Sequence, residues 1–414
     1  MNHLKRSLLG ILAVATVLLV TIPVSADVVL DWNAIMQTTV NTIFPFTQGR
    51  SAAIVQLAVF EAVNAIAGGY QPYLGTITAP QGASPDAAAI AAAHDTLVAL
   101  YPAAAVNLDA QEALSLLAIP DGQAKLDGIA VGQAASLAML TLRATDGSST
   151  VVGYTPGNDP GDWQPTPPAY LPALSPGWGQ VTTFGIKSGS QFRSAPPPRL
   201  NGGRYAHDYN EVMIKGDVNS TVRPQDRTDV ALFYRASAVQ ILNQAARLVS
   251  SAEGKTLAQN AHDLALINMA ICDGLISSME TKYFYNRWRP VTAIRFGDTD
   301  DNPNTVLNAS WLPLVTTPPF PSYPSAHASS SGAARRVLDY VYGKSGFAVD
   351  LTSPTAPGVV LHYTAWKQIT DDIDDARIYG GIHFRSDQEA GAEQGSKVGI
   401  YIITHNLRPV NKPD

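Results

Sequence analysis

The chain has 414 residues, of which 46% are hydrophobic and 15% are charged, which suits a folded protein and argues against a disordered one. Its formal net charge of −6 argues against a general affinity for nucleic acid, so a cationic cluster would be a local site. The single cysteine, Cys272, excludes an intramolecular disulfide, and its apolar surroundings predict a buried thiol.

Residues 1–26 have the features of an export signal. Lys5 and Arg6 precede an apolar run, and Val24, Ser25 and Ala26 form a small-residue cleavage pattern. The apolar run is shorter than the roughly 20 residues that a membrane span requires. We therefore expect a cleaved signal peptide, a secreted or periplasmic protein and a mature form that does not span a membrane. An uncleaved N-terminal anchor is the alternative.

The next part of the chain has helical patterns. Small and aliphatic residues at helical spacing predict a helix over Ser51–Ala67. Ser84 followed by Pro85 predicts the start of a second helix, which ends near Tyr101, because serine caps helices and proline suits their first turn. A third helix is predicted over Gln123–Arg143.

Residues 147–224 are rich in proline and glycine and lack a clear helical pattern. Trp163, Trp178 and Phe184 recur within this segment. Aromatic residues at intervals favour a long ordered loop that packs on a helical body, and a disordered linker is the alternative.

Helical patterns return in the remainder of the chain. The predicted helices are Arg227–Ser251, Thr256–Tyr283, a helix from Pro324 or Ser325 to Tyr342, and one from Ser386 to His405, where Ser386 and Glu389 match a capping box. The acidic run at residues 371–375 is interpreted as a solvated turn. No alternating series predicts a strand, so we expect an all-α helical bundle. It would form a single domain over residues 27–414, with the site motifs in a core at 227–408.

Lys282 and Arg289 are the first two candidate site residues. They are seven residues apart, so they share a face if one helix carries both. Pro290 disfavours helical geometry at Arg289 and predicts a helix end there. A guanidinium at a helix end can offer two donors to an oxyanion, while the lysine adds a point charge. Two solvated surface cations are the alternative for this pair alone.

The second motif is Pro324-Ser325-Ala326-His327, just before a helical pattern. This places Ser325 near a helix N-terminus, where free backbone N–H groups and the helix dipole attract an anion. Ser325 taken alone is equally explained as an ordinary N-cap. His327 is either a solvated histidine or an acid–base group that faces the anion.

The third motif runs from Arg377 to Asp387. Arg377 lies six residues before His383, which is off-phase for one helical face, and Gly380 and Gly381 lie between them. We expect the glycines to break the helix and to bring the backbone close to a ligand. Asp387 follows His383 at an i, i+4 spacing that would let its carboxylate orient the imidazole. The capping box instead places His383 before the helix, so their contact is left open.

Together the three motifs supply three cations, a hydroxyl and two imidazoles, which can hold a phosphate-like oxyanion and move protons at it. They resemble the signature of the type 2 phosphatidic acid phosphatase and vanadium-dependent haloperoxidase superfamily: Lys-x6-Arg-Pro, Pro-Ser-Gly-His and Ser-Arg-x5-His-x3-Asp. Ala326 replaces the glycine and Ala376 replaces the second serine. Loop segments at 154–157, 162–165, 177–179 and 190–193 are similar to those of exported bacterial members of the haloperoxidase branch.

The resemblance implies a helical bundle of the vanadium haloperoxidase and acid phosphatase type, with vanadate as the cofactor. The residues implied to hold vanadate are Lys282, Arg289, Ser325, Ala326 through its N–H, Arg377 and His383, with His383 as the metal ligand. The implied catalytic residues are His327 as acid–base group, His383, and Asp387, which supports His383.

The implied activity is the oxidation of halide by hydrogen peroxide to a hypohalous-acid-like species, so the expected partners are hydrogen peroxide and halide. Pairing into a homodimer is compatible with the branch, and the preferred halide is left open. One alternative is a secreted acid phosphatase in which His383 forms a phosphohistidine and His327 protonates the leaving group. The other is an inactive oxyanion-binding descendant, which the substitutions at Ala326 and Ala376 would explain.

Overall fold

The computed structural model describes residues 27–40 and 44–410, so the expected signal peptide at 1–26 lies outside the described residues. Within these ranges the chain forms thirteen α-helices, two short 3-10 helices and one antiparallel two-stranded hairpin. The expectation of a predominantly helical bundle is confirmed. The hairpin is the exception to it.

The N-terminal helices are α1 (Val28–Val40), α2 (Pro45–Ala67), α3 (Pro85–Leu100), α4 (Ala105–Leu117) and α5 (Gln123–Arg143). The side chain of Ser84 accepts a hydrogen bond from the Ala87 N–H, so the predicted cap of α3 is confirmed. The bounds of α5 agree with the prediction. Helix α2 begins earlier than predicted because Pro45 suits its first turn.

The segment at 147–224 is an ordered loop with buried Trp163, Trp178 and Phe184, as expected. Buried Asp273 anchors it, since its carboxylate accepts hydrogen bonds of 2.7–2.9 Å from three successive N–H groups at residues 184–186. The segment also contains a helix that the sequence analysis missed, α6 (Gly203–Lys215). Its buried residues follow a helical period, but the surrounding glycines and polar residues obscured it.

The C-terminal helices are α7 (Gln225–Phe233), α8 (Ala238–Glu253), α9 (Leu257–Tyr285), α10 (Pro290–Arg295), α11 (Ala326–Val341), α12 (Trp366–Tyr379) and α13 (Arg385–His405). The single helix predicted over Arg227–Ser251 is wrong. The chain breaks after Phe233, and Ser237 then caps α8 by accepting a hydrogen bond from the Gln240 N–H. Thr256 and Gln259 cap α9 reciprocally.

Two further corrections concern residues 345–379. The strands β1 (Ser345–Thr352) and β2 (Val360–Ala365) pair in antiparallel fashion. The sequence did not predict them because few of their residues are buried, so the alternation of apolar and polar residues is too short to recognise. The acidic run is part of helix α12 and is not a solvated turn. Its helical period comes from buried Ile369 and Ile373, while Asp372 pairs with Arg227.

Helix α13 begins at Arg385, one residue before the predicted start, so the predicted capping box at Ser386 is wrong. Phe384 is the N-cap residue, and the Asp387 carboxylate accepts a hydrogen bond of 3.1 Å from its N–H. The acid at the third helical position therefore caps the helix.

Helix α9 runs through the centre of the protein and packs against α2, α11 and α13. Helices α11 and α13 approach closely because glycines of α13 face the backbone at the start of α11. A Cβ atom on Gly395 would lie 2.0 Å from the Ser329 carbonyl oxygen, and one on Gly391 would lie 2.6 Å from that of Ser325. This contact brings the start of α11 beside the start of α13.

By length and composition alone, α2 and α9 could cross a membrane, as could a third span if the bent pair at 85–100 and 102–117 is counted as one. The most apolar windows of α2 and α9 are 78% and 94% buried within the protein. Their apolar surface therefore serves internal packing. The expectation that the mature form does not span a membrane stays a prediction.

His94 links α3 to α4 through ion pairs. Its Nδ1 lies 2.8 Å from Asp95 and its Nε2 lies 2.9 Å from Asp109, with Glu112 3.4 Å from Nδ1. Burial lowers the pKa of His94, but the hydrogen bonds to Asp95 and Asp109 and the charge of Glu112 outweigh it and raise the pKa to about 9. The protonated imidazole is thus the form that joins the two helices.

We expect Gly395→Ala to lower the free energy of unfolding by about 1–3 kcal/mol, because the added methyl group must push α13 away from α11. Urea unfolding measures this loss. The control is Gly203→Ala, where a Cβ atom meets nothing within 4 Å and the change should stay within about 0.5 kcal/mol. Equal stability of the two variants would contradict the close contact.

We expect stability to depend on pH through His94. Its folded-state pKa is raised from 6.5 to about 9, so its contribution is complete below pH 6.5 and is lost as pH rises through 9. The contribution is on the order of 1 kcal/mol, since the carboxylates are partly exposed. Thermal unfolding across this pH range should show a steeper loss in the wild type than in His94→Gln. An equal fall of the unfolding temperature with pH in the two proteins would contradict this role of His94.

Candidate functional site

Lys282 and Arg289 are both fully buried, but they do not share a helix face as the spacing suggested. Helix α9 ends at Tyr285, and Asn286 adopts a left-handed conformation with φ of 51° that turns the chain. Arg289 then lies in extended backbone just before Pro290 opens α10. The turn, and not a helical period, brings the two cations together.

Backbone carbonyl groups hold both cations. The Lys282 ammonium donates to the carbonyl oxygens of Pro321 at 2.9 Å and Ser322 at 2.6 Å. The Arg289 guanidinium donates through Nε to the Phe320 carbonyl at 2.8 Å and through Nη1 to the Ile382 carbonyl at 2.8 Å. These contacts fix the positions of the charges without neutralising them.

Ser325 caps α11 as predicted, with its Oγ accepting a hydrogen bond of 3.4 Å from the Ala328 N–H. Its own N–H donates to the Asp387 carbonyl oxygen at 2.9 Å, which connects the second motif to the third. Ala326 and His327 follow in the first turn of the helix. Both also line a small apolar pocket, together with Phe46, Val239, Leu275 and Phe320.

The structure confirms the helix break that was predicted within the third motif. It also shows whether His383 contacts Asp387, which the sequence left open. Helix α12 ends at Tyr379, and Gly381 takes a φ of 76°. The backbone there approaches Gly216, since a Cβ atom on Gly381 would lie 2.4 Å from the Gly216 oxygen. Gly381 therefore allows a close backbone contact with Gly216, and the expected approach of this segment to a ligand stays a prediction.

His383 and Asp387 are in contact, and this orients the imidazole. Nδ1 of His383 lies 2.9 Å from Oδ2 of Asp387, so Nδ1 carries the proton that the carboxylate accepts. The other ring nitrogen, Nε2, lies 3.0 Å from Nη1 of Arg289. The unprotonated Nε2 therefore faces the cations, where it can act as a ligand or as a nucleophile.

The site holds more positive than negative charge. Lys282, Arg289 and Arg377 are buried, and within residues 27–40 and 44–410 none of them forms an ion pair with a carboxylate. Burial lowers the pKa of Arg289 to about 9 and that of Arg377 to about 10. Burial and the Arg289 charge lower the pKa of Lys282 well below its usual value. An anion at this position would offset all three effects.

Burial and the same cations lower the pKa of both imidazoles well below the usual value for histidine. For His327 the largest charge effect comes from Arg377, and for His383 it comes from Arg289. Burial also raises the pKa of Asp387, although the hydrogen bond from Ser322 and the charge of Lys282 oppose it. These shifts favour the neutral form of both histidines, in which one ring nitrogen carries a lone pair.

Three buried nitrogen atoms at the site have no hydrogen-bond partner in the described protein: Nη2 of Arg289, Nε of Arg377 and Nε2 of His327. Nη2 of Arg377 donates a hydrogen bond to the Tyr234 carbonyl oxygen, and His327 is hydrogen-bonded to the backbone of Ala236. Unsatisfied cationic donors are costly to bury, so this arrangement calls for an external acceptor. A multiply charged oxyanion such as vanadate or phosphate fits this donor set.

The sequence analysis missed Ser322, whose Oγ lies 2.6 Å from Oδ2 of Asp387. No spacing rule points to this serine, because it lies in a proline-rich coil before the second motif. Phe320 was missed as well, although its ring lies 5.2 Å from the Lys282 ammonium and 4.8 Å from the Arg289 guanidinium carbon.

The fold and the site define a helical protein with a buried cluster of cations and imidazoles, and comparisons with known proteins show what it is similar to. Residues 262–412 match the family model of the VCPO second helical-bundle domain. The vanadium chloroperoxidase of Curvularia inaequalis is 23% identical over 325 residues. That match covers 58% of this chain and 53% of the relative, so the chain matches about half of the length of the fungal protein.

Solved structures share the fold over nearly the whole chain. The structure described as the first bacterial vanadium-dependent iodoperoxidase has a TM-score of 0.78 at 24% identity, with 93% of this chain and 96% of that chain covered. A holo-type bacterial vanadium-dependent chloroperoxidase has a TM-score of 0.70 at 17% identity, with 88% and 93% covered. The resemblance carried by the motifs is confirmed for residues 262–412, which match the second helical-bundle domain of the vanadium haloperoxidase family, and the fold is that of the bacterial vanadium-dependent peroxidases.

We expect orthovanadate and phosphate to raise the unfolding temperature, because either anion binds the folded site and not the unfolded chain. Arg377→Met should weaken binding by roughly tenfold to a hundredfold, the usual value of a charged hydrogen bond. Isothermal titration calorimetry measures both affinities. The control is Arg408→Met, since Arg408 is exposed and bonds to Gln71. Unchanged affinity in Arg377→Met would place the anion elsewhere.

Proposed function

We propose that the protein is a vanadate-dependent haloperoxidase, which uses hydrogen peroxide to oxidise halide to a hypohalous-acid-like species. The observation that carries the proposal is a set of buried nitrogen atoms on Arg289, Arg377 and His327 that have no partner among the described residues, beside an Nε2 of His383 that contacts only Arg289 Nη1. The similarity of the chain to a vanadium chloroperoxidase, and the family match over residues 262–412, support it.

The proposed vanadate-holding residues have distinct tasks. Lys282, Arg289 and Arg377 balance the negative charge, and Ser325 and the Ala326 N–H donate hydrogen bonds from the start of α11. Nε2 of His383 is the proposed metal ligand. When bound, vanadate supplies a Lewis-acid centre at which hydrogen peroxide becomes an oxidant for halide.

Asp387 and His327 control the protons. Asp387 keeps the proton of His383 on Nδ1, so that Nε2 stays available at the anion. His327 holds its Nε2 free and buried, and its lowered pKa keeps it neutral. It is therefore suited to accept a proton from hydrogen peroxide and to return one to the departing oxygen.

The apolar pocket that contains His327 is the proposed approach for halide. Its walls include Phe46, Leu275 and Phe320, which offer few polar groups to replace the water around an anion. Stripping water from a small halide costs more than stripping it from a large one. We therefore propose iodide as the most readily used halide, followed by bromide and chloride.

A phosphatase is the second candidate, and a specific observation favours it. The His383–Asp387 pair presents an unprotonated Nε2 beside Arg289, which also suits a nucleophile that attacks phosphorus. His327 would then protonate the leaving group. Phosphate and vanadate share their geometry, so the first contacts of the site suit both.

The test loads the purified protein with orthovanadate and follows oxidation of iodide, bromide and chloride by hydrogen peroxide, beside phosphoester hydrolysis by the vanadate-free protein. We expect His327→Ala to retain vanadate and to lose about 100-fold or more of its halide oxidation. His383→Ala should lose both. The control is His207→Ala, whose side chain is 72% exposed. Phosphoester hydrolysis without any halide oxidation would favour the phosphatase.

We also propose that the protein is exported after cleavage near residue 26, as the N-terminal pattern predicts. The N-terminal sequence and the location of the mature protein in its native host test this. Homodimer formation stays a prediction, which light scattering on the purified protein would decide.

A further inference from the structure

Ser322 joins the parts of the site, although it belongs to none of the three sequence motifs. The residue is fully buried in the coil before α11. Its Oγ lies 2.6 Å from Oδ2 of Asp387 and 3.3 Å from Nδ1 of His383. Its carbonyl oxygen accepts the hydrogen bond of 2.6 Å from the Lys282 ammonium. One residue thus contacts a cation, the carboxylate and the imidazole.

The hydroxyl hydrogen bond has a defined direction. Asp387 Oδ2 also accepts from the Phe384 N–H at 3.1 Å and from His383 Nδ1 at 2.9 Å, so as a carboxylate it requires Ser322 to donate. The serine oxygen then presents its lone pairs to the Nδ1 side of the imidazole. Both neighbours of Nδ1 therefore favour a proton on that nitrogen.

We infer that Ser322 is a positioning residue that acts through Asp387 to hold the His383 imidazole with Nε2 aimed at the bound oxyanion. The inference rests on the proposed function, since it assigns His383 as the ligand of vanadate. Residues that orient a ligating histidine contribute to metal affinity although they do not touch the metal. Ser322 adds a third donor to the carboxylate and so restricts the rotation of both side chains.

A purely structural role makes a different prediction. If Ser322 only packed the coil, its substitution would disturb the Lys282 contact and the start of α11 whether or not His383 is present. If it acts through His383, its effect disappears once the imidazole is removed. A double-mutant cycle separates the two because it measures the coupling between the positions.

The experiment titrates orthovanadate into the full-length protein by calorimetry, in the wild type, Ser322→Ala, His383→Ala and the double variant. We expect Ser322→Ala to weaken vanadate binding by roughly 10- to 100-fold. The double variant should bind as weakly as His383→Ala alone. The matched control is Ser331→Ala, a buried serine on α11 whose hydroxyl bonds to its own helix at Ala328. It should bind like the wild type.

Ser322→Cys is measured in parallel because it nearly preserves the side-chain volume and replaces the hydroxyl with a weak donor. It should lose affinity like Ser322→Ala, and circular dichroism checks that each variant is folded. Wild-type affinity in Ser322→Ala, or an equal loss with and without His383, overturns the inference. Absence of vanadate binding in the wild type overturns the proposed function instead.

Discussion

Burial of three cations beside two neutral imidazoles is the constraint on which the rest of the site depends. Carbonyl oxygens solvate the charges in place of water, and they come from Tyr234, Phe320, Pro321, Ser322 and Ile382. Carbonyl groups inside a helix are engaged in its own hydrogen bonds, so free acceptors must come from coil or helix ends. This explains why irregular segments precede α11 and α13 in a protein that is otherwise mostly helical. Nη2 of Arg289 and Nε of Arg377 have no partner in the part of the chain that the structure describes, and an oxyanion would satisfy both.

Close helix packing sets the geometry of these irregular segments. Because Gly391 and Gly395 let α13 touch the backbone of α11, the start of one helix meets the start of the other. Asp387 accepts two hydrogen bonds here. Its carbonyl oxygen accepts one from the Ser325 N–H, and its carboxylate accepts one from His383. The N-terminus of α11 and the His383 imidazole are thereby held by one residue. Their relative position depends on the packing of the two helices as well as on local hydrogen bonds.

The apolar and the charged parts of the site meet at Phe320. Its ring contacts Lys282 and Arg289 on one side and lines the pocket with Phe46 and His327 on the other. The pocket excludes water from the cations, which strengthens their attraction for an anion. The same exclusion favours reactants that shed water easily. A vanadate-dependent peroxidase and a phosphatase can share the charged part, so the apolar part is where the two functions diverge.

The sequence correctly predicts the helical class and the caps at Ser84 and Ser325, and its motifs supply the candidate site residues. These follow from local periodicity, from hydrogen bonds between near neighbours in the chain, and from motif spacing. It allowed Lys282 and Arg289 one helix face only if a single helix carried both, and it missed Ser322, because their positions depend on a left-handed turn at Asn286 and on contacts between distant segments. The hairpin and α12 were not predicted for a similar reason, because contacts with neighbouring helices decide which few of their residues are buried. The contact of His383 with Asp387, and the three buried nitrogen atoms that have no partner within residues 27–40 and 44–410, could not be predicted, because such distances arise from packing and not from spacing along the chain.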